Sequence, residues 1–556
     1  MTINRFALIL LSAIAFLGSN AASSLADVIS TTAAEDFETE AIFLEDPDGL
    51  EALPEAQPAF IEPVLPEDLL EEEGIFLDDD SSDAIDAPED SLDDDSPTVS
   101  DPPETPADGT PTVIDTPETP AEGEVVEVET PTYIERFRAG VDLYKEGKDE
   151  AAITEFNAAI SLNSEYAPAY LFRGAAFARL EDTTAALNSY NQAIAIDLEY
   201  SAAYLNRGIL YYDLQNAERA FADFDRAIAV DPQLAMAYIY RGLLDSERGN
   251  QDTALEDLNE AVRLAPENAF AYFHRGLIFK TVDNLEVAVS DFTTAIQLKD
   301  DYTEAFINRG VSYYRLGANE AALKDFNQAI NLDENNVEAY YNRSFALMAA
   351  GRPRAALDDL NQVLTLDPGY PNAYLIRGQI YAASDNNVAA ISDFSRMLQL
   401  SPESAEAYYR RGSAHLLVGD QQAAISDFSA SLALRPDDAL AYKGRGDAFA
   451  SLGDSTSAIG DYTTAIDIDS GYWEAYAERG RNYYEAGDYQ AAYADFSQVI
   501  SANVFDPDAF YYRGITNARL GDAIRAQADL EKAGSLYLTN NEAARYRIVL
   551  DALNKL

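Results

Sequence analysis

From residue 138 onward, apolar and polar positions recur every 34 residues, and no insertion or deletion breaks the phase. Each period opens on an Ala-Tyr or Ala-Phe pair, as at Ala169-Tyr170, Ala203-Tyr204 and Ala237-Tyr238, and on to Ala509-Phe510. Arg-Gly follows three residues later (Arg173-Gly174, Arg207-Gly208, Arg241-Gly242), broken in phase only at Arg343-Ser344, while Gly140 starts the series without its arginine. A short segment, often Gly-Asp or Gly-Asn (Gly249-Asn250, Gly419-Asp420, Gly453-Asp454), then interrupts the pattern. The second half of each period carries an alanine at one fixed place, from Ala152 and Ala186 to Ala492 and Ala526. Four residues later, one helical turn along the same face, stands a large side chain: Phe156, Tyr190, Phe224, Leu258, and so on to Leu530. Apolar positions three to four apart predict helices. Each unit therefore reads as two antiparallel helices joined at a glycine that takes the left-handed conformation. Pro232, Pro266, Pro368, Pro402 and Pro436 stop the second helix of their units.

One such pair cannot bury its apolar faces alone, whereas a stack of pairs can. The small residues suggest how a pair closes, with the glycine of the first helix set opposite the alanine of the second and the aromatics filling the space against the next pair. At the start, Thr132 and Glu135 form a capping-box sequence. At the end, Asn541–Leu556 predicts one further amphipathic helix with Tyr546, Val549, Leu550 and Leu553 as its apolar stripe.

This pattern of aromatic, Gly, Ala, aromatic and Pro at fixed offsets resembles the tetratricopeptide repeat family over about three-quarters of the chain. Tyr or Phe stands where the family has Trp, and arginine replaces the leucine before the glycine in eleven units. The resemblance implies an all-α, right-handed superhelical solenoid of twelve 34-residue units over residues 131–540, closed by a capping helix at residues 541–556. It also implies a concave groove, lined by first-helix residues, that holds peptides or partner helices.

The arginine has a recurrent partner: ten units carry Asp just before the large residue of the second helix, from Asp223 and Asp257 to Asp495 and Asp529. A ladder of partly buried Arg–Asp pairs is expected, with Asp223 meeting either Arg207 or Arg241. Charge balance favours this structural role over an anion site.

In the implied groove, first-helix positions give Leu205, Ile209 and Tyr212, then Ile239 and Leu243, then Phe273 and Leu277. Ile307, Val311 and Tyr314 follow, with Tyr341 and Phe345 completing five consecutive units. An exposed apolar run of that size marks a binding surface for a protein or peptide. Some family members clamp a C-terminal carboxylate with basic groove residues. Only Lys443 is basic directly after an opening aromatic, and Asp447 lies one turn later, so that clamp is missing. Towards the C-terminal end the groove positions turn polar: Asp447, Glu478, Arg481, Glu485 and Arg519.

Composition adds a second region. Residues 27–130 hold 35 Asp and Glu and no Lys or Arg, and residues 131–556 hold 62 acidic against 37 basic, so most of the net charge of −59 belongs to the tail. High charge with many Pro, Ser and Thr predicts disorder there. Asp101–Ile114 is echoed imperfectly by Asp115–Val128, as low-complexity linkers often are. Two islands, Ile42-Phe43-Leu44 and Ile75-Phe76-Leu77, interrupt the tail and offer short apolar motifs that order on a groove. The tail thus reads as spacer, solubiliser or intramolecular competitor for the repeats. So acidic a chain repels phosphate backbones, which argues against nucleic acid as a partner.

Before the tail, Arg5 precedes the apolar run Phe6–Gly18, and Ala-x-Ala-like endings follow at Ala21 and Ala26. Residues 1–26 therefore read as a secretory signal peptide, cleaved after one of those two alanines, with no integral membrane segment left in the mature chain. Periplasm, cell envelope or extracellular space is the expected location.

No enzyme chemistry is expected. Cysteine is absent, the two histidines, His274 and His415, lie four repeats apart, and the glycines belong to the 34-residue period rather than to a phosphate loop. No catalytic residue, cofactor or metal is anticipated. The sequence thus points to a protein-interaction scaffold in an exported compartment. The alternative is a structural envelope or surface protein whose acidic tail binds cations or cell-wall polymer.

Overall fold

The computed structural model describes residues 131–556. The expected signal peptide, the acidic tail and its Ile-Phe-Leu islands, all within residues 1–130, lie outside the described residues. Among the described residues there are 25 α-helices and no strand. Tyr133–Lys145 and Asp149–Leu162 make the first pair, and the same two helices return every 34 residues down to Pro507–Arg519 and Ala523–Thr539. Ala543–Leu553 follows as a last single helix. The described residues divide into two compact units, one ending at Ile278 and the other spanning Phe279–Leu556.

Local signals explain where each helix begins and ends. Thr132 and Glu135 form the reciprocal capping box, with the Thr132 N–H donating to the Glu135 carboxylate at 2.6 Å. At the turn inside a repeat, Gly249 takes φ +79° and Gly453 the same. An aspartate after the glycine caps the second helix: the Asp454 carboxylate accepts the Ser457 N–H at 3.1 Å, and Asp420, Asp488 and Asp522 do likewise. Glu181, Gln215, Asp283 and Asp385 occupy the same left-handed turn position without being glycine, at φ near +60°.

Packing inside a pair differs in one respect from the sequence reading. The fixed alanines are fully buried. The space freed by the first-helix glycine is taken by the large side chain four residues further on. A Cβ on Gly140 would lie 2.5 Å from Phe156 Cε1, and one on Gly310 would lie 2.7 Å from Phe326 Cε1. At Gly140 and Gly310 the ring takes that gap, whereas at Gly242 the atoms nearest a Cβ are the Ala254 carbonyl oxygen and Leu258, both at 3.2 Å. The single break in the series, Ser344, falls in a repeat whose large residue is Leu360, and its hydroxyl donates to the Tyr341 carbonyl at 2.6 Å.

Where the Arg–Asp ladder forms, each pair lies within one repeat. Arg207 Nε and Nη2 donate to the two carboxylate oxygens of Asp223 at 2.8 and 2.6 Å, a bidentate pair. Arg241 takes Asp257 instead, which settles the choice left open for Asp223. The same geometry recurs from Arg309–Asp325 to Arg513–Asp529. The aspartates are buried, and the arginine side chains are mostly so, with Arg309 15% and Asp325 4% exposed. Each guanidinium also lies near the opening aromatic three residues earlier, as Arg343 does over Tyr340 at 5.3 Å.

A third contact joins neighbouring repeats. The free Nη1 of Arg207 reaches back to Asn191 Oδ1 at 2.7 Å, in the second helix of the preceding repeat. Arg173 reaches Asn157, Arg343 reaches Asn327 and Arg377 reaches Asn361 in the same way. Thr293, Ser429 and Thr463 serve Arg309, Arg445 and Arg479. Arg207, Arg309, Arg343, Arg377, Arg445 and Arg479 therefore each tie their own pair together and staple it to the pair before.

The last helix covers the second helix of the twelfth pair. Val549 is fully buried, and Tyr546 lies over Gly534. Leu550 was expected in the buried stripe but is 40% exposed, because the cap presents Val549 and Tyr546 to the repeat and leaves Leu550 beside an open cleft.

Candidate functional site

The ladder arginines are engaged on every side with the second helices, so the first-helix face carries other side chains. In the first unit, first helices of neighbouring pairs touch each other, as Ser201–Asp213 does Ala235–Glu247. Leu205 and Ile239 are fully buried there and Phe273 nearly so. Ile209, Tyr212 and Leu243 stand half-exposed over the same core, with Leu277 half-exposed as well. The second unit repeats the division: Ile307, Val311 and Tyr341 are buried, while Tyr314 and Phe345 are half-exposed. The expected apolar run is thus thinner than its sequence suggested. One position in each repeat, the one held by Leu205, Ile239, Phe273, Ile307 and Tyr341, is used up in packing. The position one turn later, held by Ile209, Leu243, Leu277 and Phe345, stays accessible, Val311 excepted.

In the first unit the accessible row is joined by aromatic rings. Tyr212 and Tyr240 meet at 6.2 Å, Tyr240 and Phe270 at 6.2 Å, and Phe270 and His274 edge-on at 4.1 Å. The Tyr212 hydroxyl donates to the Glu247 carboxylate of the next repeat, and burial together with that carboxylate pushes the phenol up. Burial against Phe270 and Phe273 holds the His274 imidazole down at about 3, so it is neutral, and its Nε2 has no hydrogen-bond partner. Partial desolvation at the exposed edge of this row also raises the Asp213 carboxyl above the usual carboxylate range.

Polar groups gather in the second unit. Lys280 Nζ donates to Asn308 Oδ1 at 2.7 Å, and desolvation lowers its ammonium. Lys443 is paired with Asp447 at 2.8 Å, and Tyr462 donates to the same carboxylate at 2.9 Å. Arg481 pairs with Glu478 at 2.6 Å and lies 5.0 Å from the centre of the Tyr512 ring. The Lys443, Tyr462 and Asp447 groups satisfy one another, while the buried Arg481 Nε has no hydrogen-bond partner.

Family models described as tetratricopeptide repeat match residues 137–269, 341–443 and 478–537, and one described as TPR repeat matches 312–351, together more than half of the chain. The chain belongs to the tetratricopeptide repeat family. Among solved structures, MamA is 29% identical over 29% of this chain and 93% of its own, with a TM-score of 0.28. YrrB, described as a TPR protein with an unusual peptide-binding site, is 23% identical over 34% of this chain and 96% of its own, with a TM-score of 0.30. The C-terminal part of a TPR repeat-containing protein from Cytophaga hutchinsonii is 18% identical over 43% of this chain and 98% of its own, with a TM-score of 0.39. No curated protein matches the chain.

Tetratricopeptide repeats commonly serve as interaction scaffolds. Two features escaped the sequence reading. The staple to the preceding repeat had a visible signal, since a polar residue follows the large one in every repeat that precedes an arginine: Asn157, Asn191, Asp225, Asn259, and so on. The ring row through Tyr240 and His274 had none, because those residues share no periodic type with their counterparts Asn206 and Asn308. No helix among the described residues is long and apolar enough to cross a membrane.

Proposed function

We propose that this protein is a non-enzymatic scaffold that holds partner peptides or helices against the first-helix faces of its repeats, in an exported compartment. The observation that carries this reading is the accessible row Ile209, Tyr212 and Leu243, half-exposed above a completed core. These side chains are not needed to close the stack, because Leu205 and Ile239 already fill the space between first helices. Apolar side chains left over a finished core gain by burial against another molecule, at about 25 cal/mol per Å2 removed from water. The leader-like residues 1–26 support export, and the acidic residues 27–130 serve as a solubilising spacer between the mature N-terminus and the repeats.

The test is a pull-down with the tagged full chain beside a Tyr212→Ala, Leu243→Ala, Tyr314→Ala variant, after circular dichroism has shown that the variant melts with the native chain. A protein held by the native chain and lost by the variant supports the reading; equal retention by both removes the face from it. Fractionation with N-terminal sequencing tests export. The expected mature chain begins at Ala22 or Asp27, and an intact Met1 in the cytoplasmic fraction contradicts export.

A further inference from the structure

We propose that the first-helix face of repeats three to five, within the first unit, selects a basic segment: a peptide carrying Lys or Arg beside aliphatic side chains. This rests on the scaffold reading above and adds the chemistry of the partner.

The argument is one of charge left over. The ionisable side chains on Ser201–Asp213, Ala235–Glu247 and residues 269–278 are Arg207, Arg241, Arg275, Asp213, Asp245, Glu247 and His274. The arginines turn to the second helices: Arg207 to Asp223 and Asn191, Arg241 to Asp257 and Asp225, and Arg275 to Asn259. His274 is neutral where it is buried. Three carboxylates remain. Asp245 is buried and accepts from Asn250 Nδ2 at 3.2 Å. Asp213 and Glu247 are exposed at the edge of the accessible row. Within residues 201–278 the face therefore presents Ile209, Tyr212, Leu243 and Leu277 with carboxylates beside them, and Lys280, two residues further on, is already engaged with Asn308 Oδ1 at 2.7 Å.

Glu247 is held for the purpose. The Tyr212 hydroxyl donates to it from the preceding repeat, which fixes a carboxylate next to a half-exposed ring. An ammonium or guanidinium group at that point meets a ring quadrupole and a carboxylate together, while its methylenes lie along Leu243 and Ile209. The same arrangement disfavours an acidic occupant. Residues 27–130 carry 35 carboxylates and no cation, so the chain's own tail is repelled from this face, its Ile-Phe-Leu islands included.

The experiment is selection of a random twelve-residue peptide display library on the immobilised full chain at low salt, followed by titration of the enriched peptides, made synthetically, against native protein and an Asp213→Lys, Glu247→Lys variant. Both substituted positions are exposed, and an unchanged melting curve confirms that the variant folds. The expected result is enrichment of Lys and Arg next to aliphatic residues, with affinity falling at least tenfold in the variant and falling as sodium chloride is raised. Enriched peptides that are neutral or acidic, or that bind both proteins equally, overturn the basic-segment inference and leave the scaffold reading standing. A synthetic peptide of residues 38–80 that binds the native chain has the same effect. Absence of any enrichment contradicts the scaffold reading itself, and this inference falls with it.

Discussion

Arg377 and Asp393 meet in two parallel hydrogen bonds of 2.8 and 2.7 Å, while Arg377 Nη1 reaches Asn361 of the preceding repeat at 2.7 Å. One side chain thus bridges three helices. Removing it leaves a buried carboxylate alone, which costs about 3–5 kcal/mol. Arg377→Met is expected to lower stability by that amount in urea denaturation, with faster amide exchange concentrated in the repeats that Arg377 joins. Arg377→Met combined with Asp393→Leu is expected to restore most of the loss, because neither charge is then left unpaired. A single variant as stable as the native chain shows that the ladder carries no weight.

Arg173 is the ladder's incomplete member. Its partner position holds Ser189, whose hydroxyl accepts from Arg173 Nε at 3.2 Å, and burial lowers its guanidinium, whereas the bond to Asp223 raises that of Arg207. Ser189→Asp supplies the missing carboxylate and is expected to stabilise the chain by about 1–2 kcal/mol. A lower urea midpoint would show that the second repeat does not close tightly enough to form the pair.

The turn inside a repeat gives an independent check on local strain. Gln215 holds φ +56° where Gly249 holds +79°. A non-glycine residue there costs about 1–2 kcal/mol, offset in part by the greater freedom of glycine when unfolded. Gln215→Gly is expected to stabilise by about 0.5–1 kcal/mol, and Gly249→Gln to destabilise by a similar amount. Opposite signs in paired thermal melts confirm the requirement.

His274 sets an acid dependence. Its folded value of about 3 lies below the ordinary 6.5, so the unfolded chain takes up the proton first as pH falls. Its contribution is therefore intact above about pH 6.5 and is lost as pH falls from there towards 3, by up to about 1.4 kcal/mol per unit. His274→Leu is expected to flatten the stability profile between pH 6.5 and 4.5 without lowering stability at pH 7.5. An unchanged acid slope in that variant assigns the sensitivity to other groups.

Much of this architecture was readable from residue types at fixed spacing. The helix pairs follow from the 34-residue period, the caps from Thr132, Glu135 and the Gly-Asp turns, and the ladder, though not which of two arginines each Asp takes, from the recurring Arg and Asp. The groove was harder. Leu205 and Ile209 are equally apolar, yet one is buried and the other accessible, because the neighbouring first helix covers one and not the other. The sequence of one helix does not state how closely the next approaches. The glycine series misled for a related reason: its period matches the alanine as well as the ring, and only the packed pair shows that Phe156 occupies the space over Gly140.

The most direct measurement is site-specific photo-crosslinking of the full chain in an extract of its own cells. A benzoylphenylalanine is placed in turn at Tyr212, at Tyr314, and at the exposed second-helix positions Glu256 and Ser290. A scaffold that works through its first-helix faces gives discrete adducts from Tyr212 or Tyr314 and none from the second-helix positions. Adducts from Glu256 or Ser290 alone, with none from the first-helix positions, contradict it.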